Sequence, residues 1–271
     1  MTRQRWILVA AAVWGAALLT FALVSHSDTT VAEQQSPAAA RPAVDRGITA
    51  VLSALDRSVV GAIGGYERTG RCDLTAVRDG VQYARTLDLY VTPGRDTGLL
   101  DRLTRRLPAS FHTVRVPSLD SSVPEVLAHP DPFVRLTVAP LHGDRGHLRA
   151  VADTGCRPTT ANPYPEFQRT PSRSERARVA SVFTLFDVTP RTWSRATLSC
   201  ADGSAVTVRA TGLARESLGP LPETLHADPA PVPGTVLVGG DDRYVYQDHG
   251  RDLVISTAGD RLSVTLTTHC R

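Results

Sequence analysis

Two histidines and an aspartate occur within one short stretch of the chain, at His142, Asp144 and His147. Imidazole nitrogens and a carboxylate are ligands that divalent metal ions accept, so these three side chains form a candidate metal site. Glycine and aspartate in the same stretch are also typical of a tight turn. We favour an exposed turn, because the matching stretch near the C-terminus, Gly259-Asp260-Arg261, has the aspartate and no histidine.

A second group of acids could gather oxygen ligands for calcium, at Asp241, Asp242, Asp248 and Asp252. Their spacing is not that of a calcium-binding loop, and Arg243 and Arg251 are interleaved with them. We therefore expect a solvated hairpin end in which these carboxylates pair with the two arginines for little energy.

Motifs for nucleophilic catalysis and phosphate binding are absent from the sequence, which has neither G-x-S-x-G, nor G-x-x-x-x-G-K-[ST], nor G-x-G-x-x-G. Glycosidase chemistry needs two carboxylates about 5 to 10 Å apart, and many pairs among the 27 acidic residues could meet that condition once folded. We therefore name no catalytic residue and no cofactor, and the binding residues stay unknown.

The four cysteines are Cys72, Cys156, Cys200 and Cys270, and none is in a C-x-x-C pair. An even number in an exported chain indicates disulfides. Cys156 and Cys270 each end a similar stretch, in which a Gly-Asp-Arg turn leads through an alternating strand to Thr-x-Cys-Arg. An internal duplication predicts equivalent bonds, Cys72 with Cys156 and Cys200 with Cys270, and crossed pairing is the alternative.

Hydrophobic periodicity supports the duplication, because the same order of elements is predicted twice. Each copy has an amphipathic helix, a strand, a short helix and a final hairpin. The predicted helices are 44–60, 98–107, 174–188 and 217–225, and the predicted strands include 82–91, 133–139, 205–210 and 252–257. We interpret Gly61 to Gly65 as the loop that ends the first helix. The fold class is therefore α+β, with two similar small units, each an antiparallel sheet with one or two helices and one disulfide.

A membrane anchor is predicted by the run from Trp6 to Val24, whose only polar residue is Thr20. At about 1.5 Å per residue this run is long enough to cross a bilayer as a helix. Arg3 and Arg5 precede it, so we expect a single pass through the cell membrane with the N-terminus cytoplasmic and the C-terminal region extracytoplasmic. A cleaved leader is the rival interpretation and would give a secreted protein.

The expected layout has five parts: a cytoplasmic tip with the anchor (1–25), a flexible stalk (26–43), a first unit (44–157), a linker (158–173) and a second unit (174–271). The net charge of +3 is small and the charges are mixed along the chain, so we expect no nucleic-acid partner. All 30 basic residues are arginine. With that composition, the anchor, the Pro/Ala-rich stalk and the cysteine-closed units resemble uncharacterised exported, membrane-anchored actinobacterial proteins.

The absence of a catalytic motif favours a non-catalytic extracytoplasmic module of the cell envelope that binds a ligand, with an envelope protein, peptide or polymer as partner. One alternative is an exported hydrolase acting on cell-wall or extracellular polymers. Another is an architectural partner of a membrane complex, for which Ala11 and Gly15 would provide a packing face in the anchor.

Overall fold

Two antiparallel sheets of six strands each organise the protein. A computed structural model describes residues 12–20, 35–75, 78–118, 123–158, 170–200, 203–226, 234–248 and 250–269. A helix, α1 (12–20), precedes the sheets and is exposed along its length.

The first unit begins with a helix, which is followed by two long strands, a second helix and four further strands. In chain order its elements are α2 (Pro37–Ala54), β1 (Val59–Thr75), β2 (Arg78–Val91), α3 (Asp96–Arg106), a short 3₁₀ helix (Ala109–Phe111), β3 (Val114–Val116), β4 (Glu125–Asp131), β5 (Val134–Pro140) and β6 (His147–Pro158).

The second unit repeats this order. Its elements are α4 (Arg173–Thr184), β7 (Pro190–Cys200), β8 (Gly203–Leu213), α5 (Leu221–His226), β9 (Thr235–Gly239), β10 (Arg243–Asp248), β11 (Arg251–Ala258) and β12 (Arg261–Thr268). The strand orders are β1-β2-β6-β5-β4-β3 and β7-β8-β12-β11-β10-β9, so the last strand of each unit lies beside its second. The two units are therefore similar in topology, as the duplication predicts.

A disulfide between Cys72 and Cys156 joins β1 to β6 across β2. In the sheet Cys72 is paired with Gly80, and Cys156 with Gln82, so the bond passes over the first residues of β2. A Cβ atom at Gly80 would lie 2.6 Å from the sulfur of Cys156. Glycine at this position therefore leaves the room that the bond needs.

The helix α2 begins at Pro37, seven residues before the predicted start of the first unit. Ser36 caps it by accepting a hydrogen bond from the backbone N–H of Ala39, and Pro37 occupies the first helical position, where a missing N–H costs nothing. Ala40 and Ala43 are buried. The expected stalk, 26–43, therefore contributes its last residues to the folded unit, because a capped helix with small apolar residues packs on the sheet.

Residues 61–65 are part of strand β1, so the prediction of a loop there is wrong. The glycines provide room rather than a turn. A Cβ atom at Gly64 would lie 2.1 Å from the hydroxyl oxygen of Thr86 on the neighbouring strand, and one at Gly61 would press on Leu52 of α2. Sequence spacing does not distinguish a glycine required by close packing from one required by a turn.

The predicted anchor, Trp6 to Val24, overlaps α1 and continues on both sides into residues outside the described part of the chain. Within the described residues no helix combines the length and the apolar character needed to cross a membrane. The anchor therefore stays a prediction, as does the part of the predicted linker (158–173) that falls between residues 159 and 169, outside the described residues.

Candidate functional site at the seam between the units

Strand β1 is an edge strand of the first sheet, and the second unit covers the edge. Backbone N–H groups on the free side of an edge strand need hydrogen-bond acceptors when they are buried. The N–H of Gly61 donates to the carboxylate of Asp252, over 3.2 Å, and the N–H of Ile63 donates to the hydroxyl of Thr207, over 2.9 Å. Side chains of β11 and β8 thus replace the strand that β1 lacks.

Strand β7 is an edge strand of the second sheet, and the first unit covers it in return. The carbonyl of Thr197 accepts a hydrogen bond of 2.6 Å from the guanidinium of Arg85, and the carbonyl of Ser199 accepts one from the hydroxyl of Thr49. Arg85 is buried and also pairs with Asp45 of α2. Each unit therefore caps the open edge of the other, and we call this contact between the units the seam.

Apolar side chains fill the seam between these polar contacts. Val60, Ala62 and Tyr90 of the first sheet pack on Val245 and Val254 of the second. In β10 and β11 the neighbouring residues Tyr244 and Ile255 belong to the other core, beneath α4. Since successive side chains in a strand point to opposite faces, the second sheet packs on α4 with one face and on the first unit with the other.

The two units also share a core. Leu198 of β7 and Ala205 of β8 belong to the cluster that α2 and the first sheet form, together with Ile48 and Val51. Leu198 is 1% exposed. The units are therefore joined by buried apolar surface as well as by polar edge contacts.

A group of charged side chains lies at one end of the seam, and we call it the seam cluster: Asp88, Asp144, His147, Arg149, Arg209 and Arg243. His147 stands between two carboxylates, with Nδ1 2.8 Å from Asp144 and Nε2 3.2 Å from Asp88. Its ring stacks on Tyr90, with 4.4 Å between the ring centres. Arg243 of β10 crosses the seam to pair with Asp144, and its guanidinium lies over the Tyr90 ring, 5.6 Å from the centre.

Asp88 is the buried centre of the cluster, and arginines from both units reach it. The Nε of Arg149 lies 2.7 Å from one carboxylate oxygen, and Nη2 of Arg209 lies 3.4 Å from the other. Burial alone would raise the pKa of Asp88, but hydrogen bonds from His147 and Arg149 outweigh it and lower the pKa to about 2. Asp88 is therefore ionised across the physiological range.

Two neighbours of Asp88, Asp144 and Tyr90, also have shifted pKa values. Burial opposes ionisation of Asp144, yet the hydrogen bonds from Arg243 and His147 lower its pKa. For Tyr90, burial and then the negative charge of Asp88 raise the pKa to about 12. These groups are held in fixed charge states by their partners, which is the pattern of a structural ion network.

A second carboxylate, Asp252, serves the seam from β11. It is buried and accepts hydrogen bonds from Gly61 of the first unit, from the amide of Gln247 and from Nε2 of His269, which lies 2.8 Å away. The hydrogen bond to Asp252 raises the pKa of His269, although burial works in the opposite direction.

The three residues of the predicted metal site do not lie together in one site. His142 is exposed, whereas Asp144 and His147 belong to the seam cluster. Both ring nitrogens of His147 face carboxylates, so neither is directed at an open site. Among the described residues, no group of three or more His, Cys, Asp and Glu side chains is placed to hold a metal ion.

The acids of the predicted calcium site differ in their surroundings. Asp241 and Asp242 are exposed at the start of β10, whereas Asp252 is buried in the seam. The described hydrogen bonds and ion pairs of Asp252 are to Gly61, Gln247 and His269, so the expectation that arginines pair with these carboxylates does not hold for it. The reason is tertiary, because the residue lies opposite an edge strand that needs acceptors.

The disulfide prediction is confirmed for Cys72 and Cys156. Cys200 is also disulfide-bonded, and no described cysteine is a free thiol. Cys270 lies outside the described residues.

An open groove of about 530 Å³ is lined by residues of both units. Its lining includes Arg46 and Ala50 of α2, Pro108 and Phe111, and Ser199 of the second unit. The groove contains none of the seam cluster, and its lining is mostly apolar.

Sequence reasoning missed Asp88, Arg149 and Arg209. A weak signal was present, because Asp88 lies in the otherwise apolar run Leu87-Asp88-Leu89-Tyr90-Val91. An acid in such a strand needs a partner, but the sequence does not say which of the 30 arginines provides it. Comparison of the chain with protein families, curated proteins and solved structures finds no match, so the site is interpreted from its geometry alone.

Proposed function

We propose that the protein is a membrane-anchored, extracytoplasmic module of the cell envelope that binds a ligand without chemically changing it, at the exposed edge of the seam between the two units. The observation that supports this proposal is the reciprocal capping of β1 and β7. It fixes the two units as one body, so the surface between them is pre-formed. A pre-formed surface binds without the entropic cost of ordering two separate domains.

The charge states of the seam acids favour binding over hydrolysis. A carboxyl group that acts as a general acid at neutral pH needs a raised pKa. Asp88 and Asp144 both have a lowered pKa and are held by arginines. A glycosidase-type hydrolase needs one carboxyl group that stays protonated, and neither Asp88 nor Asp144 meets this requirement.

The proposal is tested by co-sedimentation of the full chain, kept in mild detergent, with detergent-extracted envelopes isolated from a high-GC actinobacterium, so that the predicted anchor has no lipid to enter, and release of soluble fragments is followed in the same tubes. Co-sedimentation without fragment release is the expected result. Fragment release would favour the exported hydrolase, and failure to sediment with the envelopes would overturn the proposal.

A matched pair of variants connects the result to the seam. Val254→Arg places a charge in the apolar seam and should abolish co-sedimentation, whereas Val236→Arg makes the same change on β9 at a position that is 43% exposed. Circular dichroism of both variants checks that the sheets are intact. Equal binding by both variants would show that the seam does not form the ligand surface.

A further inference from the structure

Arg149 and Arg209 approach each other across the seam, where both contact Asp88. Leu148 and Ala150 belong to the first core, so Arg149 points away from that core, towards the second unit. Val208 and Ala210 belong to the second core, so Arg209 points back towards the first unit. One arginine from each unit therefore approaches the same part of the seam.

The carboxylate of Asp88 holds these two arginines close together. Each arginine contacts a different oxygen of this one carboxylate, and Asp88 itself is buried. The guanidinium groups are thus separated by no more than a carboxylate and two polar contacts. Such anchoring fixes long side chains that would otherwise lose rotamer freedom on binding a ligand.

Both arginines keep donors that the described contacts do not use. Arg149 contacts Asp88 through Nε, and Arg209 uses Nε on Thr265 and Nη2 on Asp88. Both Nη groups of Arg149 and Nη1 of Arg209 remain for another acceptor. Each of the two side chains is 41% exposed, so a solute can reach these donors from solvent.

The local charge favours an anion. Three arginines and two aspartates give the seam cluster a surplus of positive charge before His147 is counted. Asp88 lies on the protein side of Arg149 and Arg209, since its side chain is 6% exposed and theirs are 41% exposed. An approaching anion therefore meets guanidinium groups first.

We propose that Arg149 and Arg209 form a binding site for an oxyanion, a phosphate or a carboxylate, at the exposed edge of the seam. Planar guanidinium groups with two free donors match oxyanion geometry better than an ammonium does. This inference rests on the proposed function and specifies the ligand class: the recognised part of the ligand is a phosphoryl or carboxyl group.

Titration calorimetry of the full chain in mild detergent, with inorganic phosphate and separately with sodium acetate at matched ionic strength, tests the site. Arg149→Gln and Arg209→Gln should each weaken binding of the preferred anion about tenfold, the effect of losing one charge-assisted contact. Arg135→Gln is the control. It removes the same charge from the same face of the first sheet, at an exposed position of β5, and should leave the affinity unchanged.

Stability is separated from binding by Arg149→Lys and Arg209→Lys. Lysine keeps a charge beside Asp88 but loses the second pair of donors, so these variants should melt close to the parent protein and still bind more weakly. The inference is overturned if the parent binds neither anion, if lysine restores full affinity, or if Arg135→Gln weakens binding as much as the seam variants. The preferred anion identifies which oxyanion source the site serves.

The same variants in the envelope assay separate this inference from the proposed function. Envelope binding by a parent protein that binds neither anion would overturn the oxyanion site and leave the proposed function standing. Anion binding that depends on Arg149 and Arg209, without any envelope binding, would leave the site standing and overturn the proposed function.

Discussion

The guanidinium of Arg243 donates a hydrogen bond to the carboxylate of Asp144, and this ion pair joins β10 of the second unit to the turn between β5 and β6 of the first. This turn was expected to be exposed. Its aspartate is instead one of the groups that hold the two units together, and it also orients His147 against Tyr90.

Removing this ion pair should loosen the seam. Asp144→Asn leaves Arg243 without its charged partner, and we expect a loss of about 1–2 kcal/mol in the free energy of unfolding, because the pair is only partly exposed. Urea denaturation measures it, and a double-mutant cycle with Arg243→Gln isolates the pair energy. Asp241→Asn, a similar change at an exposed position, is the control. A cycle with no coupling would show that the contact contributes nothing.

Asp88 should make the protein sensitive to acid. Its pKa is about 2 in the folded chain, against about 3.9 when unfolded, so it stabilises the fold above pH 4 by about 2.5 kcal/mol, and this is lost as the pH falls through 2. Asp88→Asn should lower stability at pH 7 by about 3 kcal/mol, because the surrounding cations lose their acceptor. Urea unfolding between pH 5 and pH 2 should then show a shallower pH dependence for the variant. An unchanged slope would contradict the lowered pKa.

His269 should act in the opposite direction. Its pKa is raised in the folded protein, so its contribution is fully present below the unfolded value of about 6.5 and is lost as the pH rises through the folded pKa. His269→Gln should therefore remove a decline in stability on the alkaline side of pH 6.5. Titration of the imidazole by NMR, in the folded and in the urea-unfolded protein, gives both pKa values of His269 directly. A folded value below the unfolded one would contradict the expected pairing with Asp252.

Truncation of Leu198 should weaken the first unit although the residue belongs to the second. Leu198→Ala leaves a cavity beneath α2, with an expected loss of about 2–4 kcal/mol. Hydrogen exchange should show reduced protection in α2 as well as in β7. Val264→Ala, in the core beneath α4, should instead affect mainly the second unit. Unchanged protection of α2 in the Leu198 variant would mean that the cores are independent.

The disulfide should stabilise the first unit through the unfolded chain. Cys72 and Cys156 are 84 residues apart, so closing this loop removes about 4–5 kcal/mol of chain entropy from the unfolded state in the simple model. Replacing both cysteines with serine should lower the denaturation midpoint by a corresponding amount. Hydrogen exchange at the Cys72 end of β1 serves as the local readout, and an unaltered midpoint would contradict the prediction.

The repeat in the sequence was sufficient to predict the α+β class, the two similar units and the Cys72–Cys156 bond. Turn residues, strand alternation and the position of a cysteine are local features, and the chain carries them twice. The boundaries were less accurate, since α2 begins in the expected stalk and β1 runs through the glycines at 61–65. Glycine is compatible with both a turn and a closely packed strand, so only its neighbours decide.

What the sequence by itself determined is therefore the content of each unit: its helices, most of its strands and, in the first unit, its disulfide. What only the tertiary structure decided is how the units meet. An edge strand needs acceptors and donors from outside its own sheet, and nothing local specifies that Asp252 and Thr207 provide them for β1, or that Arg85 provides them for β7. Arg149 lies opposite Asp88 on the neighbouring strand of the first sheet, whereas Arg209, 121 positions away in the chain, reaches Asp88 only because the two sheets pack on each other.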